Sequence, residues 1–142
     1  MKTTKKAEKP WISERMTVEL KPTIYNKQVG GYYLDADQQG HVIRFEIRET
    51  GNHYYNVLIL IHELIEQALC RRHGITEADT DVWDATHFMD ANEPADIKGS
   101  PYRAEHRYAE KIERIICNKL GIRWKDYERC LDNLCLGDVR ED

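Results

Sequence analysis

The chain has 142 residues, the size of one domain able to bury its own core without disulfides or a structural metal. With 41% hydrophobic and 32% charged residues, its composition excludes the disordered and membrane classes. A formal charge of -4 with no basic stripe disfavours nucleic acid, and four cysteines without C-x-x-C spacing fit reduced thiols in the cytoplasm better than a disulfide scaffold.

Residues 1–10 are Lys-rich and end at Pro10, and they read as a flexible basic tail. Residues 11–142 read as a single globular domain. No apolar run approaches the ~20 residues that cross a bilayer, and the first residues lack the apolar stretch of a signal peptide, so no membrane association or export is expected.

Between Trp11 and Tyr25 the segment Met16-Thr-Val-Glu-Leu-Lys21 alternates apolar and polar residues, the period of a half-buried strand, which Pro22 would end. Gly30-Gly-Tyr-Tyr-Leu34 and His41-Val-Ile-Arg-Phe-Glu-Ile-Arg48 flank a turn-rich stretch and predict a hairpin. Ile43, Phe45 and Ile47 fall on one face of it, with Arg44, Glu46 and Arg48 on the other.

After Gly51-Asn52 the spacing becomes helical from about Tyr54 to His73, with Gly74 as the C-cap. Residues 76–100 carry seven acids against one lysine and read as a long acidic loop with at most a short helical turn. A second long helix is expected from Ser100, an N-cap with Pro101 at the first helical position, to Leu120, and Gly121 closes it. A short helix from Trp124 to Leu134 follows. The fold class is therefore α+β: an N-terminal antiparallel sheet of about three strands packed on two long helices, plus a short C-terminal one.

The two long helices echo each other. Glu63 to Ile75 aligns without gaps on Glu110 to Ile122, matching Glu, Ile, Glu, Cys, Gly and Ile. A shared apolar stripe and cap account for this, and a duplicated unit is the alternative.

Residues four apart on a helix project about 40° apart, so His62 and Glu66 stand side by side, with Glu63 a quarter turn away. Imidazole and carboxylate both ligate zinc or another divalent ion, and a catalytic zinc takes three protein ligands and keeps one position open. His106 on the other long helix is the third candidate, with Asp84, Glu110 and Glu113 as alternates. Glu63 beside such an ion suits the role of general base. The bland readings are a hydrogen-bonded core histidine for His62 and solvated partners of Lys111 and Arg114 for Glu110 and Glu113. His41, His53, His73 and His87 fall in turn, loop or cap contexts and read as structural. Trp124 and Tyr127 read as core anchors, and Cys70 and Cys117 as small buried hydrophobes.

The string His62-Glu63-Leu64-Ile65-Glu66 resembles the H-E-x-x-H helix of zincin-type metallopeptidases, with Glu66 where that signature has its second histidine. The resemblance implies a zinc-dependent hydrolase. The stretch from His62 through Asp84, then Pro101-Tyr102 and Glu105-His106 to Glu113, is also similar to small phage and prophage proteins of unassigned activity. That likeness implies the host cytosol and no particular reaction. Two rivals stand beside the hydrolase. One is a non-catalytic phage-encoded binding protein that uses the acidic 76–100 segment and both helices. The other is a carboxylate-rich, divalent-metal nucleotide hydrolase using Glu63, Glu66, Glu110 and Glu113. The substrate is unknown from sequence, and a homodimer is left open.

Overall fold

The computed structural model describes residues 14–22, 28–37, 40–87 and 93–140. The expected tail at 1–10, and Trp11 with it, lies outside them. Three strands come first, β1 (Glu14–Lys21), β2 (Gly30–Asp37) and β3 (Gly40–Arg48). Four helices follow, α1 (His53–Arg72), α2 (Glu77–His87), α3 (Arg103–Lys119) and α4 (Trp124–Arg140), with a 3-10 turn at Pro94–Asp96 ahead of α3. The protein is α+β, with its sheet at the N-terminal end.

The alternation in β3 is realised in full. Ile43, Phe45 and Ile47 are almost entirely buried, and β3 is the central strand, in the order β1-β3-β2. Burying each such side chain contributes about 1.5–3 kcal/mol. β2 pairs antiparallel with β3, as a hairpin requires, but β1 pairs parallel with it, so the sheet is mixed and not antiparallel throughout. Two reversals of direction, one before β2 and one before β3, return the chain to its original heading, and the free edge of β3 then meets β1 in parallel.

β1 is also not the half-buried strand its alternation suggests. Met16, Val18 and Leu20 lie opposite Ile43, Phe45 and Ile47, yet each is at least half exposed. α1 packs mainly across β3 and β2 and meets β1 through the Arg71–Glu14 ion pair at 2.8 Å.

Local signals place the helices. Asn52 caps α1 through its side-chain oxygen, which accepts from the amides of Tyr54 and Tyr55 at 2.9 and 3.2 Å. Gly74, at φ 76°, ends it, and the Ile75 amide donates back to the Cys70 carbonyl at 2.9 Å. α3 starts later than expected: Tyr102 is its N-cap residue, and the Ser100 hydroxyl accepts from the Tyr102 amide at 3.3 Å.

Residues 76–100 are not a long loop. Thr76 and Asp79 cap each other's amides at 2.9 and 3.1 Å, and this reciprocal pair opens α2. The C-terminal helix is not short either, since α4 runs on to Arg140.

Two buried clusters hold these elements together. One joins Ile47, Leu58, Ile59, Cys117 and Tyr127, and so ties the sheet to α1, α3 and α4. The other joins Cys70, Ala95 and Tyr102 with Ile75 and Trp83, and so seats α2 and the 3-10 turn. α1 and α3 pack directly on each other between them. Among the described residues no helix is long and apolar enough to cross a membrane.

Candidate metal centre

One turn of α1 presents His62, Glu63 and Glu66, and the facing turns of α3 present His106, Glu110 and Glu113. All six line one cavity of about 330 Å³. Both faces are close to dry: the His62 and His106 side chains are 12% exposed and that of Glu66 is 8%. Ionisable groups at that depth are costly unless paired or ligating.

Three donor atoms converge. His62 Nε2 is 3.3 Å from Glu66 Oε2 and 3.1 Å from His106 Nδ1, and His106 Nδ1 is 2.9 Å from the same Glu66 oxygen. Bonds of ~2.1 Å in a tetrahedron put ligand atoms about 3.4 Å apart, so this triangle is slightly tighter than a zinc coordination face. Two ring nitrogens at 3.1 Å cannot both carry a proton toward each other without repulsion, whereas both can turn a lone pair on a shared cation. His62, Glu66 and His106 thus form a group that could hold a metal ion.

The opposite edges of both rings face carboxylates. His62 Nδ1 meets Glu113 Oε1 at 2.8 Å, and His106 Nε2 lies 3.9 Å from Asp96 Oδ2. A proton on His62 Nδ1, donated to Glu113, leaves Nε2 as the free lone pair aimed at Glu66 and His106. This is how metal-ligating histidines are usually oriented. The other oxygen of Glu113 accepts from the buried Tyr127 hydroxyl.

The electrostatics follow from burial and these contacts. Burial alone would lower the pKa of His62, but hydrogen bonds with Glu113 and Glu66 outweigh it and hold the ring well above its usual value. His106 behaves alike, with its bond to Glu66 overcoming burial. Burial would raise Glu66, but His106 and His62 hold it below the usual carboxylate range.

Glu63 goes the other way, pushed up by burial and by the neighbouring charge of Glu66. The residue is 8% exposed and lines the cavity. It lies against Gly30, where a Cβ would come within 3.0 Å of Glu63 Oε2 and 2.8 Å of Ile59 Cγ2. The absence of a side chain on β2 makes that approach sterically feasible.

The alternates are engaged elsewhere. Asp84 lines the same cavity but accepts from the Tyr102 hydroxyl at 2.5 Å and from Gln28 Nε2 at 3.4 Å, and burial pushes its pKa up to about 6. Glu110 holds Arg114 at 2.9 Å and can also join Asp96 and His106 in a second, more open group. Glu113 has both oxygens occupied, by His62 and Tyr127. Among the described residues His41, His53, His73 and His87 join neither group. His73 instead pairs with Glu105 at 2.6 Å beside the end of α1.

Tyr127, read from sequence as a core anchor, is both that and the donor that fixes Glu113. Asp96 and Gly30 were not singled out by spacing at all. No family model, curated protein or solved structure matches this chain, so its function is read from the geometry of the site.

Proposed function

We propose that this chain is a zincin-like, metal-dependent hydrolase, with zinc or a similar divalent ion held by His62, Glu66 and His106 and with Glu63 as general base. The observation that carries this reading is the 2.9–3.3 Å triangle of His62 Nε2, His106 Nδ1 and Glu66 Oε2. Two imidazoles and one carboxylate are a donor set of catalytic zinc, which leaves a fourth position for substrate or water. When bound, such an ion polarises a carbonyl and makes water more acidic. The chain's own residues supply the remainder. Glu113 and Tyr127 hold the His62 ring in register, and Glu66 is held ionised by both histidines. Glu63, adjacent in sequence to one ligand and one turn from another, takes a proton from the attacking water and returns it to the leaving group.

The four-carboxylate alternative is less favoured. Glu113 has both oxygens engaged, by His62 and Tyr127, and Glu110 has one on Arg114, so the four carboxylates are not all available to such a site.

Elemental analysis of the purified chain, with His62→Ala and His106→Ala alongside, tests the reading. About one zinc per chain, lost in both variants, is expected from a three-ligand site. A wild-type protein that takes up no divalent ion would overturn it.

A further inference from the structure

The sheet has two outer strands, and they are finished differently. On β2 the Leu34 amide donates to Glu77 of α2 at 3.2 Å, so a helix occupies part of that edge. On β1, among the described residues, no strand pairs with the edge turned away from β3. A long open edge is a template for a further strand, and natural proteins usually blunt it.

The backbone groups at this edge follow from one hydrogen bond. The Glu49 amide donates to the Lys21 carbonyl at 2.8 Å, so Lys21 turns its polar groups toward β3. Direction alternates along a strand, so Arg15, Thr17 and Glu19 do the same, whereas Glu14, Met16, Val18 and Leu20 present theirs outward. The side chains of Met16, Val18 and Leu20 stand beside Ile43, Phe45 and Ile47 on one sheet face, yet they are 58%, 50% and 52% exposed. An open edge therefore runs along an exposed apolar row, the mark of an interaction surface.

The β1 sequence is complementary to itself. In antiparallel pairing of two copies about a two-fold axis at Thr17, Arg15 stands opposite the partner's Glu19, Thr17 opposite the partner's Thr17, and Met16 opposite the partner's Val18. Opposite charges and paired threonines are favourable cross-strand neighbours. Met16 and Val18 are the residues whose backbone groups point outward, so they supply the hydrogen-bonded pairs of this register. Glu14, opposite the partner's Leu20, is held by Arg71 of its own chain at 2.8 Å. Glu19 gains a second cation, since it stands beside Glu46 with Lys21 shared between them at 3.5 and 3.7 Å. The adjacent registers lose this match. An axis at Val18 sets Arg15 against the partner's Lys21, and an axis at Met16 separates Arg15 from the partner's Glu19.

We infer that this chain forms a two-fold dimer by antiparallel pairing of β1 with the β1 of a second copy, which joins two three-stranded sheets into one. β1 contributes no residue to the metal-centre cavity, so the inference goes beyond the hydrolase reading and does not depend on it.

Sedimentation equilibrium of the full chain, from about 1 to 300 µM at low salt, tests the dimer, because a one-strand seam is a small interface, under about 1,200 Å², and exposed charge pairs are screened by salt. The mass should rise with concentration from one chain toward two. Arg15→Glu and Glu19→Arg each set like charges opposite each other twice, by symmetry, and each should weaken association at least about tenfold. Mixed in equal amounts, the two variants regain both opposite-charge pairs, and their heterodimer should form within about threefold of the wild-type affinity. Recovery in the mixture also shows that both variants are folded.

A wild-type chain that stays single at the highest concentration would overturn the inference and leave the β1 edge to a strand of a different protein. A dimer that neither single variant weakens, or losses that mixing does not restore, would overturn it as well.

Discussion

His62 and Glu113 meet across the packed α1–α3 interface, Nδ1 to Oε1 at 2.8 Å, on the ring edge opposite the nitrogen that faces Glu66 and His106. One contact therefore ties two helices together and, in the neutral ring, favours the tautomer that leaves Nε2 free. Carboxylates in that position typically raise metal affinity by about 10–100-fold. Glu113→Gln keeps a hydrogen-bond acceptor but loses the charge, and zinc affinity is expected to fall by about tenfold, toward the lower end of that range. Tyr127→Phe, one bond further out, should lower it by less. Competition with a chelator of known affinity measures both, and an unchanged zinc affinity in Glu113→Gln would remove it from the centre.

Glu63 is expected to separate binding from turnover. Glu63→Gln is nearly isosteric and touches none of the three donor atoms, so zinc content should stay at the wild-type level. Turnover of any substrate found should fall by about 10²–10⁴-fold, the usual contribution of a positioned general base. Metal content and kcat measured on one preparation check this together. Loss of zinc in this variant would make Glu63 a ligand and not a base.

The metal-free protein should have an inverted pH response. The pKa of His62 is raised above 6.5 on folding, burial being outweighed by Glu113 and Glu66, so its contribution to stability is complete below about pH 6.5 and is lost as pH rises through the raised value. Glu63, raised above 4.5 by burial and by Glu66, acts in the same direction. Glu66 is lowered from 4.5 by its histidine contacts, so its contribution is present above about pH 4.5 and is lost on acidification. Stability without metal should therefore peak in weak acid and decline toward alkaline pH. Zinc needs neutral rings, so its stabilising effect should grow over that same range. Urea midpoints at pH 6 and pH 9, with chelator and with zinc, measure both trends. A chelated protein more stable at pH 9 than at pH 6 would contradict the assignment.

The parts of the site that were legible in sequence are those set by a single helix. His62 and Glu66 share a face because of the 3.6-residue period, and Gly74 and Gly121 mark helix ends because φ 76° suits glycine. The echo between Glu63–Ile75 and Glu110–Ile122 is largely the same cap made twice: Ile75 donates to Cys70 at 2.9 Å and Ile122 to Cys117 at 3.1 Å. Its matched glutamates, Glu66 and Glu113, grip His62 from opposite ring nitrogens. The convergence of His106 with His62 required two helices to pack, and periodicity could only nominate it. The pairing of Tyr127 with Glu113 depends on how α4 docks, which no local pattern encodes. β1 was misread because alternation reports a strand's two faces and not whether a helix covers either one. α2 was hidden by its acids, although Thr76 and Asp79 carried a capping signal.

Gly30 offers a test of how closely the sheet supports the site. A methyl at this position would sit 2.8 Å from Ile59 Cγ2 and 3.0 Å from both Cγ and Oε2 of Glu63, closer than real side chains tolerate. Ile59 is buried and cannot swing away, so either β2 moves off α1 or the Glu63 side chain is displaced. Gly30→Ala should therefore destabilise the fold by about 1–3 kcal/mol, the usual range for overpacking. If Glu63 is the general base, it should also reduce turnover further than that loss explains, because Glu63 is the side chain pushed. Gly31→Ala is the control: its nearest neighbour is the Tyr33 hydroxyl at 3.2 Å, the far end of a side chain that can yield. Chemical denaturation together with kcat at a temperature where both variants are folded would distinguish the two effects. Equal behaviour of the two alanine variants would mean that Glu63 is not positioned through β2.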